Sequence, residues 1–260
     1  MQNKGILFFL LVFKFTTLLY SADQYTYSQL VEKAQKGEYH KIQGKLAHQC
    51  LGWSKDGKAA ILKQITPDGP IGGFYLEFLV IQTITEQIQE KFYLVEPVAY
   101  QQFETGHLTE NQKESFKKAI LILKQNQIIP SQVKLQPVPY SYQQDALVIK
   151  LKTKKVKAPD PYYLSSWGGV NSITEKEKIP LITSFSAAAY FAGNNQSKTI
   201  TRNIDLPYSS NLTIHGIYKN PFEERILIVY YYQLAIPDAH PDVNEIRAGF
   251  IGCHLQVGFR

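Results

Sequence analysis

Residues 52–62 read Gly52-Trp53-Ser54-Lys55-Asp56-Gly57-Lys58-Ala59-Ala60-Ile61-Leu62. An Asp-Gly pair between apolar flanks predicts a tight hairpin, because the turns that suit twisted strands need positive φ, which Gly adopts without cost. Outward from this hairpin the same pattern repeats. The loop Pro67-Asp68-Gly69-Pro70-Ile71-Gly72-Gly73 precedes a β-rich run from Phe74 to Ile84, and a turn at Thr85-Glu86-Gln87 leads into Ile88 to Val95. Four strands joined by consecutive turns within residues 45–100 make an antiparallel meander.

The W-S-x-D-G signature of Trp53 to Gly57, followed by a small-apolar and then an aromatic-rich strand, resembles one blade of the propellers of periplasmic Tol-type proteins. The similarity covers Leu46 to about Glu96. One copy cannot close a ring, so the resemblance implies the hairpin and not a closed propeller. The order of this module, a helix and a C-terminal segment with Gly252-Cys253-His254-Leu255 and Gly258-Phe259 is also similar to a set of exported bacterial proteins of no established function.

Beyond the meander the fold class reads as mainly β with α+β character. Residues 23–44 hold a short helix, Tyr27 to Lys36, stopped by Gly37. Within 101–130, Thr109 to Lys124 predicts an amphipathic helix. Thr109 and Gln112 suit a capping box, and Phe116, Ala119, Ile120 and Leu123 form a stripe that would cover the sheet. Residues 131–260 read as a larger antiparallel β region. Its strands are expected at Gln132–Val138, Ala146–Val156, Leu181–Phe191, Thr199–Leu206, Leu212–Tyr218, Glu224–Leu234 and Glu245–Phe259, with a long Pro/Gly/Ser-rich loop at 158–179.

Residues 1–22 carry Lys4, an apolar run from Gly5 to Phe13 and a small pair, Ser21-Ala22, and are expected to act as a cleaved export signal. Lys14 interrupts the apolar run, which argues against a retained membrane span. Cleavage removes two lysines and no acid, leaving 26 basic against 22 acidic side chains. That mild excess, part of it one local cluster of lysines, argues against a nucleic-acid partner. Cys50 and Cys253 would meet an oxidising compartment, where a disulfide and two buried thiols are both open readings.

Candidate chemistry is sparse. Asp238, His240 and Asp242 alternate in one loop and present a polar contact surface, yet no companion ligands make it a metal site. Tyr162, Tyr163 and Trp167 place aromatics in the long loop, where exposed rings suit partner or glycan recognition. Lys150, Lys152 and Lys154 share one face of a strand, as an anion-binding strip or as lysines protecting a sheet edge. His40, His48, His107 and His215 have no acids at an interpretable spacing, and His254 reads as a polar-face residue. Trp53 is expected to pack over its own hairpin.

Motifs for hydrolase nucleophiles, phosphate loops and dinucleotides are absent from the sequence, and no cofactor is implied. The reading is an exported, periplasmic or secreted protein that binds an envelope protein or glycan without catalysis. Two alternatives stay open. One is an envelope-polymer hydrolase using the 237–242 loop with Glu77 or Glu104, and the other is an outer-membrane β-barrel.

Overall fold

In the computed structural model, residues 24–42, 46–66, 74–98, 103, 107–157, 180–234 and 246–260 are described. Twelve strands among them form two open antiparallel sheets of six. The first holds β1 (His40–Ile42), β2 (Leu46–Trp53), β3 (Lys58–Ile65), β4 (Phe74–Gln82) and β5 (Gln87–Val98) in sequence order, with β6 (Ile129–Pro130) also on β2. The second runs in reverse order: β12 (Ile246–His254), β11 (Arg225–Leu234), β10 (Ser197–Lys219), β9 (Leu181–Phe191), β8 (Asp145–Val156) and β7 (Tyr140–Tyr142). Neither sheet closes on itself, and the chain is mainly β without a propeller ring.

The predicted meander is β2 to β5, and its turn works as the sequence suggests. Gly57 sits at φ 81°, Ser54 N–H donates to the Lys58 carbonyl at 2.8 Å, and Lys58 N–H donates to Ser54 Oγ at 2.8 Å. Two helices cover the outer face of this sheet: α1 (Tyr27–Lys36) and α2 (Glu110–Gln125). Both begin with a reciprocal capping box, Thr26 with Gln29 and Thr109 with Gln112, which satisfies two otherwise orphaned N–H groups. Phe116, Ala119, Ile120 and Leu123 of α2 pack with Leu62, Phe78 and Leu94 of the sheet. The helix is therefore the expected cover.

A second apolar layer joins the two sheets. Cys50, Trp53, Ala59, Ile61, Leu79 and Ile81 meet Tyr218, Leu227 and Val229. Trp53 is fully buried in this seam, where the sequence reading packs it over its own hairpin. The opposite face of the second sheet makes a third core, with Ile226, Ile228 and Tyr230 of β11 beside Phe185, Phe191 and Ile251. Strand β11 thus buries both faces, the physical meaning of its unbroken apolar run.

Three strand expectations change. Residues 132–138 form only an isolated bridge, Gln136 with Ile217, and Pro137 and Pro139 just after it have no N–H with which to extend a ladder. Two expected strands at 199–206 and 212–218 are one 23-residue strand, β10. Asn203 and Asn211 at positive φ accompany its register shifts, so bulges carry Pro207 through without ending the pairing. The last strand stops at His254, and Val257 is 60% exposed, so its inward alternation ends at Leu255.

Cys50 and Cys253 are free thiols, both buried. They stand in different layers, Cys50 in the inter-sheet seam and Cys253 on the far face of the second sheet, so the disulfide reading is replaced by two core cysteines. Burial pushes the Cys50 thiol up to about 12 and the Cys253 thiol up to about 11, which keeps both protonated and unreactive.

Candidate functional site

Strand β2 has an incomplete edge. Strand β1 pairs with Leu46 to His48 and β6 pairs with Gly52 and Trp53, so the intervening Gln49 to Leu51 lack a strand partner on that side. Other groups fill part of the gap, since the Leu51 carbonyl accepts from Tyr25 Oη at 2.7 Å and from Ser131 N–H at 3.2 Å. What is left is a cleft of about 710 Å³, with α1 on one side and residues 130–134 on the other. This volume lies within the range of small-molecule sites.

The lining is rich in hydrogen-bonding groups. Lys33, Lys36 and Lys134 line it together with Glu32 and Glu38, and so do Gln29, Gln49, Ser131 and His40. Three ammonium groups against two carboxylates give little charge bias. Gln49 Nε2 donates to the Lys33 carbonyl at 2.9 Å, which ties α1 to the floor. Gly37 is required here, because a Cβ would run into that carbonyl and the Gln49 amide. Gln49 and Ser131 both line the cleft, and Gln49 Oε1 and Ser131 Oγ are buried just behind its surface without a hydrogen-bond partner, an unusual state for two polar atoms.

His40, on the cleft wall, begins a histidine cluster that crosses into the seam. Its register partner on β2 is His48, the ring centroids 6.0 Å apart. His215 from β10 in the other sheet meets His48 edge to face at 5.3 Å. His48 is fully buried, and its Nδ1 lies 2.8 Å from Tyr218 Oη. Burial, reinforced by His215 and His40, pulls His48 down to about 3. Burial also lowers His40 and His215. His40 Nε2 accepts from Leu135 N–H at 3.3 Å, so its ring carries a lone pair there. The Nε2 atoms of His48 and His215 are buried and unpaired. These imidazoles do not make a metal-binding set, and no group of three or more His, Cys, Asp or Glu able to hold a metal occurs among the described residues.

Sequence reasoning missed this cluster because β1, whose pairing with β2 opposes His40 and His48, is only three residues long, too short for its alternation to mark a strand. The spacing of His40 and His48 about residues 42–46 is consistent with that register, whereas nothing local points to His215. The cleft residues Tyr25, Gln49 and Ser131 likewise come together only in three dimensions.

Of the sites expected from sequence, Tyr162, Tyr163, Trp167, Asp238, His240 and Asp242 lie outside the described residues, as do Glu104, the loop 67–73 and residues 1–22. Lys150, Lys152 and Lys154 are exposed on one face of β8. Glu77 is 1% exposed and ion-paired with Lys63 and with Lys91, the latter at 3.2 Å. A carboxylate so enclosed and neutralised cannot meet a substrate, which removes the described acid from the hydrolase alternative. No helix among the described residues is long and apolar enough to cross a membrane.

Fold and cleft together define a class, a two-sheet β protein with a helix-covered face and a polar groove at a gap in one strand's edge. Comparison with protein-family models, curated proteins and solved structures finds no match to this chain.

Proposed function

We propose that this chain is an exported binding protein whose cleft between α1, β2 and residues 130–134 takes a neutral, polyhydroxylated ligand such as a short glycan segment of the envelope or extracellular space. One observation carries the reading: Gln49 Oε1 and Ser131 Oγ are buried and unpaired in the wall of a cleft large enough for a ligand. Leaving such groups unpaired costs more than an ordinary hydrogen bond returns, so turning either side chain toward a ligand hydroxyl in the cleft would be favoured. The near balance of ammonium and carboxylate groups favours a neutral polyol over a strongly charged ligand. The leader at residues 1–22 supports delivery to a compartment where such glycans occur.

The test is titration calorimetry of the purified chain with a panel of neutral two- to four-sugar oligosaccharides. At least one should bind, and Ser131→Ala should weaken it by about 2- to 10-fold, the value of one hydrogen bond. Failure of the whole panel, or binding indifferent to Ser131→Ala and Lys134→Ala, refutes the proposal. The export reading is checked by sequencing the mature N-terminus from the native host, expected at Ala22 or Asp23.

A further inference from the structure

Strand β8 is only half covered. On its outer side β7 pairs with Asp145, Ala146 and Leu147 and then ends, while β9 runs along the inner side from Leu147 to Val156. From Val148 to Val156 the outer edge therefore has no strand partner among the described residues. Half of the backbone N–H and C=O groups of such an edge point away from the sheet, ready to pair with an extended chain.

The two faces of this edge differ in chemistry. Lys150, Lys152 and Lys154 are exposed on one face at alternate positions, about 7 Å apart along the strand. Their register partners on β9 are Ala188, Ser186 and Ser184, small side chains that neither shield nor neutralise them. Lys150 Nζ rests 4.3 Å from the Tyr190 ring centroid, a contact that orients the ammonium without cancelling its charge. On the other face, Leu151 is half-buried and packs at the margin of the apolar layer that contains Ile149 and Ala187. The sheet thus ends with Leu151 partly open at the margin of a buried apolar layer, beside a row of cations.

We infer that this edge receives an added β-strand from a protein partner, an extended segment with acidic residues at alternate positions and apolar residues between them. The acids would stand opposite Lys150, Lys152 and Lys154, and the apolar residues would continue the layer at Ile149 and Leu151. Main-chain hydrogen bonds would supply affinity, while the two-sided alternation would select the partner. A second copy of this chain is a poor occupant, because two β8 edges would set lysine against lysine. An acidic polysaccharide would satisfy the charges alone and leave both the backbone groups and Leu151 unused. This surface is separate from the cleft, so the proposal does not depend on the glycan reading.

The test uses the full chain and a fluorescein-labelled nine-residue peptide alternating Glu and Val, followed by anisotropy at low and physiological salt. The peptide should bind, and N-methylation of alternate residues should abolish binding by removing the ladder donors while keeping every charge. Reversal of the lysines in a K150E/K152E/K154E variant should weaken binding at least about tenfold and transfer it to a peptide alternating Lys and Val. Three results overturn the inference: no binding of the Glu/Val peptide, equal binding of its N-methylated form, or a dimer of the chain that the peptide dissociates. Dextran sulfate binding that the Glu/Val peptide cannot displace identifies the lysines as a polyanion strip and also overturns it. Should the triple variant fail to fold by circular dichroism, Lys152→Gln and the N-methylated peptide decide the matter.

Discussion

Acidification should loosen the seam between the two sheets, and His48 sets the magnitude. In the folded chain this imidazole titrates near 3, against 6.5 in solution, because burial and the facing His215 and His40 oppose its charge. Below pH 6.5 the unfolded chain gains a proton that the folded chain refuses. Stability from this group is complete above about 6.5 and falls as pH drops toward 3. Each pH unit in that window costs about 1.4 kcal/mol, so moving from pH 7 to pH 5 removes about 2 kcal/mol, a large part of a typical domain's total. His40 and His215 are lowered by burial too and act in the same direction. The measurement is urea unfolding of wild type and His48→Gln at pH 7 and pH 5, where the amide can keep a hydrogen bond to Tyr218 but cannot titrate. Wild type should lose about 2 kcal/mol more than the variant over that interval. Equal losses in both proteins would show that His48 is already charged or hydrated in the folded state, and the seam argument would fail.

Other consequences of the packing are as direct. Trp53→Ala empties the middle of the inter-sheet seam, where the indole is fully buried, and should cost about 3–5 kcal/mol by thermal or urea unfolding. Gly252→Ala should cost about 1–3 kcal/mol, because the new methyl meets the Thr83 carbonyl of the β4–β5 turn and forces backbone apart. Glu77→Ala should cost about 3–5 kcal/mol by leaving Lys63, itself largely buried, without its partner; a Lys63→Met/Glu77→Leu double variant should recover most of the loss. Thr109→Ala should cost about 1 kcal/mol through the lost cap of α2, read as a lower urea midpoint.

Local rules carried much of the fold. The Asp56-Gly57 turn, the helix that starts at Thr109 and the apolar run of β11 each depend on neighbours in sequence: positive φ at one residue, a cap three residues from its partner, period-3.6 or unbroken apolarity. The errors fell where distant pairing overrides local signals. Pro207 suggests a break in β10, yet bulges at Asn203 and Asn211 let partners on both sides hold the strand together. Trp53 looks like a hairpin residue until a second sheet buries it.

The sequence by itself determined that the chain is mainly antiparallel β and that one amphipathic helix covers a sheet. These follow from periodicity and turn chemistry, which act over a few residues. Only the tertiary structure decided that the second sheet packs on the first, that the two cysteines lie in separate layers, and that His40, His48 and His215 meet. The cleft belongs to the same group: it exists because β1 and β6 share one edge of β2 and leave Gln49 to Leu51 between them. Residues more than a hundred positions apart in the chain become neighbours through sheet packing, and no local pattern encodes that meeting.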